Sequence, residues 1–202
     1  MTDKLVEKLE KNYDLFLNLV GRIKNEEAKN SLLEMCSELK DRLAAAPAST
    51  KIEYVGAYPG GLVEHSLQIL KISKDLNKVF AAGVDSDSLI ITSLFHDIGK
   101  IGDAENDYYI EQKSDWHRSK LGMMYDFNHE VSRMPVVQRS LWWLNSSKCP
   151  MSAEEIGAIS SLHHAGQMWS SELYESPILS VILQTAVRVA CMKGKGKTNL
   201  LE

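Results

Sequence analysis

The chain has 202 residues, with 23 Lys and Arg against 27 Asp and Glu and a formal net charge of −4. A hydrophobic fraction of 44% at this length supplies a buried core and excludes disorder, while 5 Pro, 12 Gly and 7% aromatics disfavour a sandwich or barrel. No run reaches the roughly 18 apolar residues of a membrane span, and Met1 to Lys11 is too charged for a secretory leader, so no membrane partner and a cytoplasmic location are expected.

Leu5, Leu9, Tyr13, Phe16, Val20 and Ile23 step by three and four, one stripe of an amphipathic helix. Asn25 ahead of Glu26 and Glu27 is a candidate N-cap, and Leu32, Met35 or Cys36, Leu39 and Leu43 continue a second stripe. Residues 1–46 are thus read as a helical hairpin that either covers the core or offers a face for a homo-oligomer. Pro47 to Gly61 reads as a loop, rich in Pro and Gly. Helices are predicted from about Leu62 to Phe80 and from Ser86 as N-cap to Ile98, with Gly99 as the stop. A polar loop from Gly102 to Lys113 leads to a short helix capped by Ser114 or Asp115. Another helix follows Pro135 through Val136 to Leu144. Ser152 to Glu155 is a capping box opening a helix toward His163 and His164. The last helix runs from Pro177 to about Met192, and residues 193–202 form a short basic tail. No alternating pattern is long enough for a sheet, so the expected class is all-α.

The acidic balance gives no global attraction to nucleic acid, so phosphate recognition must be local. Cys36, Cys149 and Cys191 lack the spacing of a disulfide framework or zinc ribbon and read as buried reduced thiols. More informative are five histidines on four helices: His65, His96 beside Asp97, His117, and the pair His163 and His164. A lone helical histidine is usually a packed core residue, but imidazoles with a carboxylate are also the ligand set for divalent metals, and facing helices bring such groups together. Neighbours His96 and Asp97 point about a hundred degrees apart on an ideal helix, so both reach one centre only where the helix end loosens. A carboxylate with two oxygens can bridge two ions, which singles out Asp97. Asp103, Glu105 and Asp107 read as a solvated loop, Trp116, Trp142, Trp143, Trp169, Tyr108 and Tyr109 mainly as packing, and His129 as structural or exposed.

Gly60-Gly61-Leu62-Val63-Glu64-His65-Ser66-Leu67 and Leu94-Phe95-His96-Asp97-Ile98-Gly99-Lys100-Ile101-Gly102 resemble the first two blocks of the HD superfamily of metal-dependent phosphohydrolases. The order His, His-Asp, His, His-His is also similar to its two-metal branch, and the chain looks most like small members encoded by bacteriophages, which would place it in the host cytoplasm. The resemblance spans residues 47–192 and implies an HD-like helical bundle. It further implies one or two divalent ions (Mn, Fe, Mg, Co or Zn) held by His65, His96 and Asp97, joined by His117, His163 and His164. Asp97 and Lys100 would act in catalysis, and Lys100, Arg118 and Arg188 would contact the phosphate of a small-molecule nucleotide or related ester.

Two positions depart from that pattern. Val187 follows Ala186 where HD proteins carry a closing aspartate, and Tyr54-Val55-Gly56 stands where some relatives place a histidine. Valine cannot bind a metal. The alternative reading is therefore a degenerate HD-fold module that binds a nucleotide or a protein without hydrolysis. A third reading, a 3′-5′ nuclease, draws on Gly-Gly-Leu-Val-Glu-His, with the acidic charge weighing against it.

Overall fold

The computed structural model describes residues 3–162 and 176–194. Helices α1 (Asp3–Val20), α2 (Glu26–Glu38) and α3 (Lys40–Ala45) lead into the long α4 (Gly61–Val79), followed by α5 (Ser86–Phe95) and a 3-10 turn, Ile98–Ile101. Beyond it lie β1 (Tyr109–Glu111), α6 (Asp115–Leu121), β2 (Tyr125–Phe127), α7 (Val136–Ser146), α8 (Ala153–Ser161) and α9 (Ile178–Gly194). The mainly helical class expected from composition is what the chain adopts. No helix among the described residues is long and apolar enough to cross a membrane.

Several local expectations are corrected. The second apolar stripe breaks at Leu39, which joins α2 to α3 outside helical geometry. Asp85, not Ser86, caps α5, its carboxylate accepting from the Asp87 amide. The helix carrying His96 ends at Phe95, before Gly99. A short antiparallel pair, Tyr109 to Glu111 against Tyr125 to Phe127, forms where only loop was expected; three residues per strand are too few for a detectable alternation. Cys36 and Cys149 are buried, whereas Cys191 is only half-buried. By contrast, Asn25 caps α2, Ser114 caps α6, and Ser152 with Glu155 forms a reciprocal capping box on α8.

Helix α4 is the hub, packed against α5 and α9 and also touching α1 and α3. Its inner stripe of Leu62, Val63, Ile69 and Leu70 is almost wholly buried. Phe16 of α1 meets Phe95 of α5 edge to face at 5.4 Å between ring centres, so the first helix shares the core that carries the histidines. The Tyr13 hydroxyl donates to the Cys36 carbonyl at 2.6 Å and ties α1 to α2.

Entry into α4 depends on two glycines for different reasons. Gly60 sits at φ +77°, where a side chain is strained, and Gly61 lies so close to Gly56 that an added Cβ would come within 2.6 Å of its Cα. Gly99 is a third case of close approach. A Cβ there would run into the Val136 carbonyl, 2.8 Å from the Ser140 amide nitrogen and 2.9 Å from the Arg139 Cβ. Because that obstruction is mainly backbone, Gly99→Ala should destabilise the protein by about 1–3 kcal/mol in urea unfolding. Unchanged stability would show that the turn and α7 separate freely.

Candidate metal site

Three of the predicted ligands converge. One ligand atom each from His65, His96 and Asp97 lies within 4.8 Å of the others. His65 stands one turn into α4, its ring centre 6.0 Å from that of His96 at the end of α5. His96 caps α5 with helical dihedrals, but Asp97 leaves the helix at φ −112°, ψ 12°. That single turn of the backbone swings the carboxylate toward the imidazole beside it, which a continuous helix would not allow.

Both imidazoles are nearly inaccessible, His65 4% and His96 1% exposed. The Nδ1 of His96 lies 3.0 Å from the Ser93 carbonyl. A carbonyl only accepts, so Nδ1 carries the hydrogen and Nε2 keeps its lone pair. Neither that Nε2 nor the Nδ1 of His65 has a hydrogen-bond partner. The Asp97 carboxylate approaches His96 Nε2 at 3.5 Å, but burial holds the His96 pKa below its ordinary value despite that carboxylate, so the contact joins a neutral ring and is not an ion pair. Burial, with His96 and Lys100 nearby, likewise lowers the His65 pKa to about 3.

Asp97 is governed by its other neighbour. The Lys100 ammonium donates to its Oδ2 at 2.6 Å. Burial alone would raise the Asp97 pKa, but the Lys100 ammonium pulls it below the usual carboxylate range. Conversely, burial favours a neutral Lys100 and the Asp97 charge overrides it, so the lysine stays protonated. The site thus offers two neutral imidazole lone pairs and one ionised carboxylate. An unpaired buried polar atom costs about 1–3 kcal/mol, and a divalent cation among the three residues would take a lone pair from each imidazole. Three such donors fit Mn, Fe or Zn and leave coordination positions open.

The turn bearing these groups is clamped from α7. Ser140 Oγ accepts from the Gly99 amide at 2.9 Å, and the buried Arg139 donates to the Gly99 carbonyl at 3.2 Å and to the carbonyls of Ser132 and Met134 at 2.8 Å. Sequence reading overlooked Arg139 and Ser140; the signal was that both fall on the buried stripe completed by Trp143 and Leu144. Arg42 was overlooked too. Its guanidinium donates to the carbonyls of Ile101, Asp103, Ala104 and Asn106 and to the Asp107 carboxylate, folding the acidic loop into a fixed shape. Asp103 accepts from the amides of Ser132, Asn106 and Glu105, and these bonds hold its pKa low.

Among the described residues, the metal-ligand cluster contains none of the other predicted ligands. His117 on α6 is half-buried, its Nδ1 2.8 Å from Ser114 Oγ and its ring edge-on to Trp116, and it is not in the three-residue cluster. Arg118 pairs with Asp115 on the surface. Arg188 is exposed on α9, and Val187 beside it is half-buried against the core. His163, His164 and Trp169 lie outside the described residues.

No protein-family model, curated protein or solved structure matches this chain.

Because His65 is neutral when folded and titrates near its ordinary value of about 6.5 when unfolded, the unfolded chain binds more protons between those pH values. Metal-free protein should therefore hold its full stability above about pH 6.5 and lose up to about 1.4 kcal/mol per pH unit per imidazole as pH falls toward 3. Urea unfolding from pH 7.5 to 4.5 checks this, and His65→Leu should flatten the curve.

Proposed function

We propose that this protein is a metal-dependent phosphohydrolase acting on a phosphate ester, a nucleotide or a close relative. The supporting observation is the convergence of two buried imidazoles, one ligand atom each, with an ionised carboxylate within 4.8 Å of one another. The two sequence blocks that resemble the HD superfamily contribute those three residues, which agrees with the reading.

His65, His96 and Asp97 would hold the cation, which when bound supplies a polarised phosphoryl oxygen and a water of lowered pKa. The protein's own groups have separate tasks. Ser93, through its carbonyl, fixes the tautomer and orientation of His96. Lys100 keeps its charge and has two N–H groups beyond the one given to Asp97, so it can neutralise a phosphate oxygen at the same edge. Tyr109 stays a hydroxyl donor at neutral pH, since burial pushes its pKa up to about 12. The near-complete burial of both rings keeps bulk water from competing for their lone pairs.

Asp97→Asn should weaken binding of Mn²⁺ by about 10- to 100-fold in titration calorimetry and abolish phosphate release from a nucleotide panel, with helical circular dichroism unchanged. Wild-type protein that binds Mn²⁺, Co²⁺ or Fe²⁺ yet releases no phosphate would overturn the hydrolase reading. It would favour the second one, a binding module, for which Val187 in place of an acid is the specific support. Val187→Asp separates them further. A tighter metal complex with new or increased turnover is expected if α9 faces the cluster with one ligand short, whereas lost stability alone would mean that the valine is core.

A further inference from the structure

Beside the metal cluster lies a cavity of about 530 Å³, bounded by α3, the loop after it, and the β1–β2 pair, with Lys100 in its wall. This volume matches pockets that enclose small organic ligands. Its apolar lining comes from Pro47, Pro59, Ile101, Tyr108, Tyr109 and Tyr125. The Tyr108 ring is backed by the Arg139 guanidinium at 4.7 Å, so this wall is rigid.

Charge decides what can enter. Two cations line the cavity, Arg42 and Lys100. All five N–H groups of Arg42 are already committed to four carbonyls and Asp107, leaving none for a ligand. Of these two cations, only Lys100 has donors to spare. Three carboxylates share the lining: Asp107 is paired with Arg42, whereas Asp41 and Glu111 form no ion pair among the described residues. Such a cavity accommodates one phosphate at its Lys100 end and repels additional phosphates along its length.

Building on the phosphohydrolase reading, we infer that this cavity receives the uncharged, ring-bearing part of an ester with a single phosphate, of the nucleoside monophosphate class, and discriminates against polyphosphates. Proline and tyrosine faces pack the ring, and the carboxylates supply the rejection.

The test is calorimetric titration of the full chain in excess Mn²⁺ with AMP, GMP, CMP, UMP, their triphosphates and inorganic phosphate. At least one monophosphate should bind about tenfold more tightly than both its triphosphate and inorganic phosphate. Ala45→Trp, at an exposed lining position, should cost that monophosphate about tenfold while Mn²⁺ and inorganic phosphate bind as before. Asp41→Asn combined with Glu111→Gln should bring triphosphate binding up toward that of the monophosphate. The inference is overturned if triphosphates bind as well as monophosphates, if no monophosphate exceeds inorganic phosphate, or if Ala45→Trp has no effect. Phosphate release in the same samples is read separately. Turnover without monophosphate preference removes the cavity assignment and keeps the hydrolase, and selective binding without turnover does the reverse.

Discussion

The arrangement depends on a break in one helix. Had α5 continued past Phe95, His96 and Asp97 would diverge by about a hundred degrees and no common centre would form. The chain instead leaves helical geometry at Asp97 and tightens into a 3-10 turn, which redirects the carboxylate and brings Lys100 back onto it. Such a turn has poorer hydrogen-bond geometry than the helix it replaces. It is held from outside: Ser140 and Arg139 of α7 take both backbone groups of Gly99, and α7 approaches closely enough that only a glycine fits. The three converging side chains, the lysine and the clamp are therefore linked through one turn.

The electrostatics follow from that placement. Two imidazoles buried side by side cannot both be charged, and burial keeps them neutral as donors of lone pairs. The carboxylate, partly buried, remains ionised because Lys100 is in contact with it. Without the lysine, burial would favour the protonated acid. Lys100 thus sets the charge of the centre, and it also lines the adjoining cavity.

Around this centre, the segment from 101 to 127 is a scaffold more than a loop. Arg42 gathers its carbonyls from one side, Arg139 fixes the Tyr108 ring from another, and the β1–β2 pair closes the far end. Two arginines that carry no motif in the sequence are here bonded to backbone carbonyls inside the structure. Although Arg42 lines the cavity, that commitment leaves it no N–H for an anion.

Sequence by itself determined the helical class, the caps at Asn25 and Ser152, and the identity of His65, His96 and Asp97 as candidate ligands, and it narrowed the α6 cap to Ser114 or Asp115. These are local properties: periodicity, short-range capping chemistry and residue type are written in neighbouring positions. It also stated the geometric condition, a loosened helix end, that convergence of His96 and Asp97 requires. What it did not contain was the cause of the loosening, since Gly99 acts through α7, about forty residues away. Nor did it reveal Arg42 and Arg139, whose partners are backbone carbonyls and leave no trace in residue type, or the Lys100 to Asp97 contact that fixes the charge of the site. Tertiary structure decided those, because burial and long-range hydrogen bonding set ionisation and position, and both exist only once distant segments have packed together.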